Sequence, residues 1–266
     1  MNDTIYKHIQ FSVDDGLATL TLNRPDRLNS FNAEMHLEVK QAFELIKQNT
    51  DLRCLLITAN GRGFCAGQDL SDRAVSVGDQ APDLSISIEK NYNPLVRNIT
   101  GLAMPVVCAV NGVAAGAGAN IALACDLVLA AKSASFIQSF NKLGLVPDSG
   151  GTWMLPKLVG HARAMRLCLL GEKVSADLAL EMGMIAQVHE DEELLTEATE
   201  LARQLAKAPT YGLGLIKQAI QASANNSFEQ QLELECKFQG MAGRSDDYRE
   251  GVDAFINKRA PKYSGR

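Results

Sequence analysis

Two stretches of this chain follow one local plan: a run of apolar residues, a glycine-rich turn, then a bend or a helix. Cys54-Leu55-Leu56-Ile57-Thr58-Ala59 runs into Asn60-Gly61-Arg62-Gly63 and on through Phe64-Cys65-Ala66-Gly67-Gln68-Asp69-Leu70. Pro105-Val106-Val107-Cys108-Ala109-Val110 runs into Asn111-Gly112-Val113-Ala114-Ala115-Gly116-Ala117-Gly118, with an apolar helix expected over 119–125. Short apolar runs bounded by glycine read as strands buried on both faces. A third such strand is expected at Leu127-Val128-Leu129-Ala130. Strand, turn and helix in repetition give an α/β core.

The flanks fit that core. Ile9 to Val13 and Leu17 to Leu22 alternate around Asp14-Asp15-Gly16, which predicts a β-hairpin. Asn32 is placed to cap a helix with Met35, Val39, Phe43 and Ile46 on one face. Residues 71–100 are less regular, with a mobile segment and a helix near Ile86 to Ile99 expected. Beyond Gly150 the pattern is helical: 176–182, 193–207, 213–224, 228–241 and 246–258. No linker separates a second domain. Residues 1–200 form the core and 201–266 a helical C-terminal region of one continuous domain.

The two turns also carry chemistry. The first N–H groups of a helix have no intrahelical acceptor and sit at the positive end of its dipole. Two such turns face to face can hold one negative oxygen, as on the carbonyl of an acyl thioester, and each donor contributes about 2.7–4 kcal/mol to the transition state. The proposed donors are the backbone N–H groups of Ala66 and Ala117. Such turns also serve as packing devices or nucleotide loops. However, Ala115-Gly116-Ala117-Gly118 does not match the dinucleotide fingerprint, and no phosphate-binding lysine follows.

Composition narrows the function classes. The formal charge is -5 and Lys and Arg are dispersed, which argues against a nucleic-acid surface. The six cysteines have no metal-ligand or disulfide-framework spacing, so no metal is expected and a reducing, cytoplasmic location is. No signal peptide or membrane span is evident.

At these residues the chain resembles the crotonase superfamily of enoyl-CoA hydratases and isomerases. The matching segments are Leu22-Asn23-Arg24-Pro25 with Asn29 and Asn32, Gly63 to Leu70, Pro105 to Gly118, Cys125-Asp126, and Gly144-Leu145-Val146-Pro147-Asp148-Ser149-Gly150-Gly151-Thr152. The resemblance implies a spiral of ββα units with a helical C-terminal trimerisation region, assembled as a homotrimer or a dimer of trimers. It implies an acyl-CoA substrate and no separate cofactor, since CoA belongs to the substrate. By the match, Ala66 and Ala117 form the oxyanion hole, with Gly116 in the second turn. Arg24 and the backbone of Ala66, Gln68, Asp69 and Leu70 match positions around the CoA adenine and phosphates. Phe255 and Lys258 match positions that reach the nucleotide, often from a neighbouring subunit. The alternative for Arg24 and Lys258 is a solvated surface charge.

The resemblance leaves the reaction open. Hydratases of the family use two glutamates to activate water; the matching positions here are Asn120 and Phe140, which carry no titratable group. Asn120 could contact substrate or be a satisfied buried amide. Asp148 stands where family members that shift double bonds in dienoyl thioesters, and those that dehalogenate aryl thioesters, carry an aspartate. The first group uses it as a proton shuttle, the second as a nucleophile. Phe140, Leu145 and Trp153 are expected to bury it and raise its pKa, with Trp153 in the core. Ser149 could orient it. Otherwise Asp148 only caps a helix starting at Ser149 or Gly150.

The run Ser139 to Trp153 is most similar to the branch that rearranges an aryl epoxide thioester in phenylacetate catabolism and shifts a 3,4 double bond to 2,3. The leading expectation is therefore an isomerase using Asp148, with other enzymes of that catabolism as possible partners. An enoyl-CoA hydratase, a dienoyl-CoA isomerase of fatty-acid oxidation and a non-catalytic binding protein are the alternatives.

Overall fold

The structure is a computed structural model that describes residues 6–73 and 82–266. The middle of the expected mobile segment, 74–81, lies outside the described residues.

Strands β1 (Ile9–Asp14) and β2 (Leu17–Leu22) form the expected hairpin. Asp15 and Gly16 both have positive φ, which matches the hairpin twist. Asn32 caps α1 (Ala33–Gln48): its Oδ1 accepts from Met35 N at 2.9 Å. Met35, Val39, Phe43 and Ile46 are all buried, as the helical spacing requires.

From there the chain climbs in steps. β3 (Cys54–Ala59) continues into β4 (Gly63–Cys65), β5 (Val106–Val110) into β6 (Val113–Ala115), and β7 (Leu127–Ala131) into β8 (Ser135–Ile137). In each pair the first strand joins one sheet and the second joins another. The large sheet has the order β1-β2-β3-β5-β7-β10 and the small one β4-β6-β8-β9. β2, β3, β5, β7 and β10 (Gln187–His189) run parallel, as do β4, β6 and β8; β9 (Lys173–Ser175) lies antiparallel to β8. This staircase is the expected ββα spiral. Every residue of β3 and β5 is buried.

Helices fill the connections. The turn α2 (Ser85–Ser87) passes through Ile88–Tyr92 into α3 (Asn93–Gly101). α4 (Ala117–Leu123) is entirely buried, while α5 (Gly151–Val159) packs against α4 and α6 (His161–Leu170). α7 (Ala176–Glu181) separates the short strands β9 and β10, so the chain beyond Gly150 is not purely helical. α8 (Leu194–Ala206) packs on β3, β5 and β7. A border at residue 200 therefore cuts a core helix; the outer helical layer is α9 (Thr210–Ser223), α10 (Phe228–Ala242) and α11 (Asp246–Ile256). Among the described residues, no helix is long and apolar enough to cross a membrane.

An ion pair between a buried lysine and a partly exposed aspartate ties that layer to the core. Lys217 of α9 lies 2.8 Å from the carboxylate of Asp126, and its Nζ donates to Ile99 O at 3.1 Å. Asp126 also accepts from Val106 N at 2.8 Å, at the start of β5. Burial pushes the Asp126 carboxyl above its ordinary range, and Lys217 opposes that shift. Lys217→Ala removes the counter-ion of this partly exposed carboxylate and is expected to cost about 1–2 kcal/mol at pH 7. A raised folded-state pKa means stability present at low pH and lost as pH rises through it. The deficit should therefore shrink toward pH 4, which urea unfolding at the two pH values would check.

Candidate active site

The two turns named at the outset meet backbone to backbone. A Cβ on Gly118 would fall 2.3 Å from Cys65 O and 2.7 Å from Cys65 Sγ. A Cβ on Gly67, whose φ is +90°, would fall 3.0 Å from Ala115 O and 3.4 Å from Ala117 N. Ala117 N–H is the first amide of α4, at the positive end of the helix dipole. Gly116 precedes it with φ +54° and is anchored by its N–H to Ile137 O at 2.8 Å.

The other expected donor is not available. Ala66 N–H donates to Leu28 O at 2.9 Å, so it serves the fold. On the same stretch, Phe31 N donates to Gly67 O at 2.7 Å and Asp69 N donates to Phe31 O at 2.9 Å. Those bonds turn Gly67 O and Asp69 N toward the Leu28–Phe31 segment. In a bridge of this kind, the intervening amide of Gln68 points to the opposite side of the chain. Gly67, at φ +90°, breaks the alternation that would otherwise aim the Ala66 and Gln68 amides the same way. The sequence locates the turn, but only the partner segment, remote in the chain, shows that Ala66 N–H is spent.

Cys65 lies beneath this turn, fully buried. Its Sγ accepts from Gly67 N at 3.4 Å, and burial pushes its thiol up to about 12.

The residues expected at the CoA nucleotide are partly committed elsewhere. Arg24 is neither a solvated charge nor an open anion site: its Nη2 lies 3.0 Å from the buried carboxylate of Asp69, and its Nη1 donates to Ser30 O. Ser71 donates to the other oxygen of Asp69 from its hydroxyl (2.6 Å) and its amide (3.1 Å), and these bonds hold the carboxyl below its ordinary range. Asn29 completes the support: its Oδ1 accepts from Arg24 N at 2.7 Å, and its Nδ2 donates to Gly63 O at 2.8 Å. This cluster locks the first turn to the segment after β2. Gln68 accepts from the Tyr92 hydroxyl at 2.9 Å, and Leu70 is exposed. On α11 and just past it, Phe255 is 86% exposed and Lys258 points outward as well.

Asp148 stands on a turn of unusual backbone. Ser149 and Gly150 follow it with φ +53° and +79°, both left-handed. For Ser149 that conformation costs on the order of 1 kcal/mol, a strain that gathers at functional sites. Two donors hold the main chain in place: Asn120 Nδ2 to Asp148 O at 2.8 Å and Gly151 N to the same oxygen at 2.9 Å.

Asn120 is fully buried, and its Oδ1 accepts from Gln138 Nε2 at 2.8 Å. Both ends of that amide are used inside the protein, so Asn120 supports the Asp148 turn and is not a substrate contact. α5 begins at Gly151 with Gly150 as its cap and no side-chain capping bond, so Asp148 does not cap it.

The surroundings of Asp148 are more open than expected. Phe140 is buried, its ring 3.7 Å from where a Gly116 Cβ would be, so it walls the second turn. Leu145 is exposed, however, and Trp153 is 49% exposed with Lys157 Nζ over its ring. Asp148 itself is half-buried. Trp153 leaves the core because it lies on the outward face of α5, whose inward positions are Met154 and Leu155.

Two interlocked backbone turns beside a carboxylate held on a strained bend define an enzyme site of the kind that stabilises an acyl oxyanion. The chain belongs to the enoyl-CoA hydratase/isomerase family, whose model matches residues 12–266. It is 57% identical to the 1,2-epoxyphenylacetyl-CoA isomerase of Escherichia coli K12, over 96% of this chain and 97% of that one. It is 42% identical to a protein of Rhodobacter capsulatus named as a probable enoyl-CoA hydratase, over 98% and 99%. The crystal structure of an enoyl-CoA hydratase from Bacillus anthracis superposes with a TM-score of 0.91 at 29% identity, covering 98% of this chain and all of that one.

The contact between the turns can be tested by adding one methyl group. Gly118→Ala drives a Cβ into Cys65 and is expected to lower stability by about 1–3 kcal/mol. It should also cut kcat/KM at least tenfold. Gly212→Ala, where nothing lies within 4 Å, should do neither. Thermal unfolding and turnover of both variants decide it.

Proposed function

We propose that this chain is an acyl-CoA isomerase acting on 1,2-epoxyphenylacetyl-CoA, opening the ring epoxide to the oxepin thioester. The same chemistry extends to shifting a 3,4 double bond to 2,3 in an enoyl-CoA. The observation that carries the reading is Asp148 on its braced turn, together with the two residues that replace the water-activating glutamates of hydratases. Asn120 is spent on internal hydrogen bonds, and Phe140 is an apolar wall.

The thioester oxygen lies between the backbone amides of Gln68 and Ala117. Their dipoles stabilise the enolate and so acidify the carbon beside the carbonyl, each donor contributing about 3 kcal/mol. The Asp148 carboxylate takes that proton and returns it farther along the conjugated system, leaving the composition of the substrate unchanged. Phe140 excludes a hydrated charge from the pocket and favours an aromatic acyl group. A hydratase would need a base for water, and the family positions for it hold an amide and a phenyl ring.

The exposed apolar residues Ile220, Phe228, Phe255 and Ile256 on α9 to α11 support assembly into trimers or dimers of trimers. In that assembly Phe255 and Lys258 reach the nucleotide end of a neighbour's substrate. Six free cysteines, four of them buried, support a cytoplasmic setting, and the reaction fits phenylacetate catabolism.

Asp148→Asn should lower turnover of the epoxide thioester by roughly 10³-fold, within the range for lost acid–base catalysis, while acyl-CoA affinity stays within a few-fold. Turnover equal to the parent's would overturn the assignment. Rapid hydration of crotonyl-CoA by the parent would favour the hydratase reading.

A further inference from the structure

The turn that carries Asp148 holds a residue whose presence the backbone does not explain. Position 149 has φ +53°, a left-handed conformation that glycine adopts without strain, and the next residue, Gly150, is a glycine at φ +79°. Yet position 149 is a serine, 1% exposed. No helix cap explains it, since α5 starts at Gly151 without a side-chain capping bond. Its hydroxyl donates to Asp148 Oδ1 at 2.9 Å.

We propose that Ser149 is a positioning residue for the isomerisation, tolerated in a strained conformation because its hydroxyl fixes the orientation of the Asp148 carboxylate. Asn120 and Gly151 hold the carbonyl end of Asp148; Ser149 holds the other end of the same residue. A carboxylate that must take a proton at one carbon and deliver it to another has to stay in one plane between the two steps. A hydroxyl donor on one oxygen restricts rotation about the terminal side-chain bond, which otherwise has broad freedom. The inference rests on Asp148 being the proton carrier.

Two substitutions separate the hydroxyl from the backbone. Ser149→Gly removes the donor and relieves the strain, so the variant folds with an unfolding temperature no lower than that of Ser149→Ala. Ser149→Ala removes the donor and keeps the strain. Both are expected to lose at least tenfold in kcat on the epoxide thioester, with KM within twofold of the parent.

A parental kcat in Ser149→Ala would overturn the proposal, because a purely conformational role needs only a residue that tolerates the turn. A parental kcat in Ser149→Gly would do so as well. If Asp148→Asn is inactive while both Ser149 variants match the parent, this inference fails and the proton-shuttle assignment stands. If Asp148→Asn keeps full turnover, the assignment itself fails.

Discussion

The closest approach of two backbones governs this molecule. Gly118 lies against Cys65 at a distance that leaves no room for a methyl group, and Gly67, in a left-handed conformation, lies against Ala115 and Ala117. That contact joins the step from β3 to β4 to the step from β5 to β6. It stacks the small sheet on its own connections and brings two amides to one point in space. No side chain does the joining, so the catalytic geometry is as stiff as the core. A hole made from peptide groups of buried strands needs no reorganisation when charge develops on the substrate.

The polar clusters around this contact each fix one of its edges. Asn29, Arg24 and Asp69 bind the first turn to the segment after β2. Asn120 and Gln138 bind the second turn's helix to the Asp148 loop. Asn120 stands at a position where a hydratase of the family holds a glutamate. There the amide is structural: it braces the main chain of the turn that carries Asp148.

Much of this architecture was legible in the amino-acid order, for physical reasons. The helix at 33–48 announced itself through its cap and the spacing of Met35, Val39, Phe43 and Ile46; β3 and β5 did so as unbroken apolar runs between glycines. The three-residue strands β4, β6 and β8 did not, because alternation over three residues carries no period and their stability comes from neighbouring turns of the spiral. The same limit applies to the site. The glycine spacing located both turns, but the direction of a single amide depends on a partner segment remote in sequence. Thus Ala66 was expected as a donor although Leu28 takes its N–H. Asp148 was legible by residue type. The openness around it was not, since Trp153 and Leu145 are apolar residues on an outward surface.

Cys65 has a consequence of a different kind. Its sulfur sits under the first turn, accepting from Gly67 N, and complete burial pushes its thiol up to about 12, so it is held in the neutral, unreactive form. The close packing that Gly118 permits also seals that sulfur off from reagents that would oxidise or alkylate an exposed thiolate.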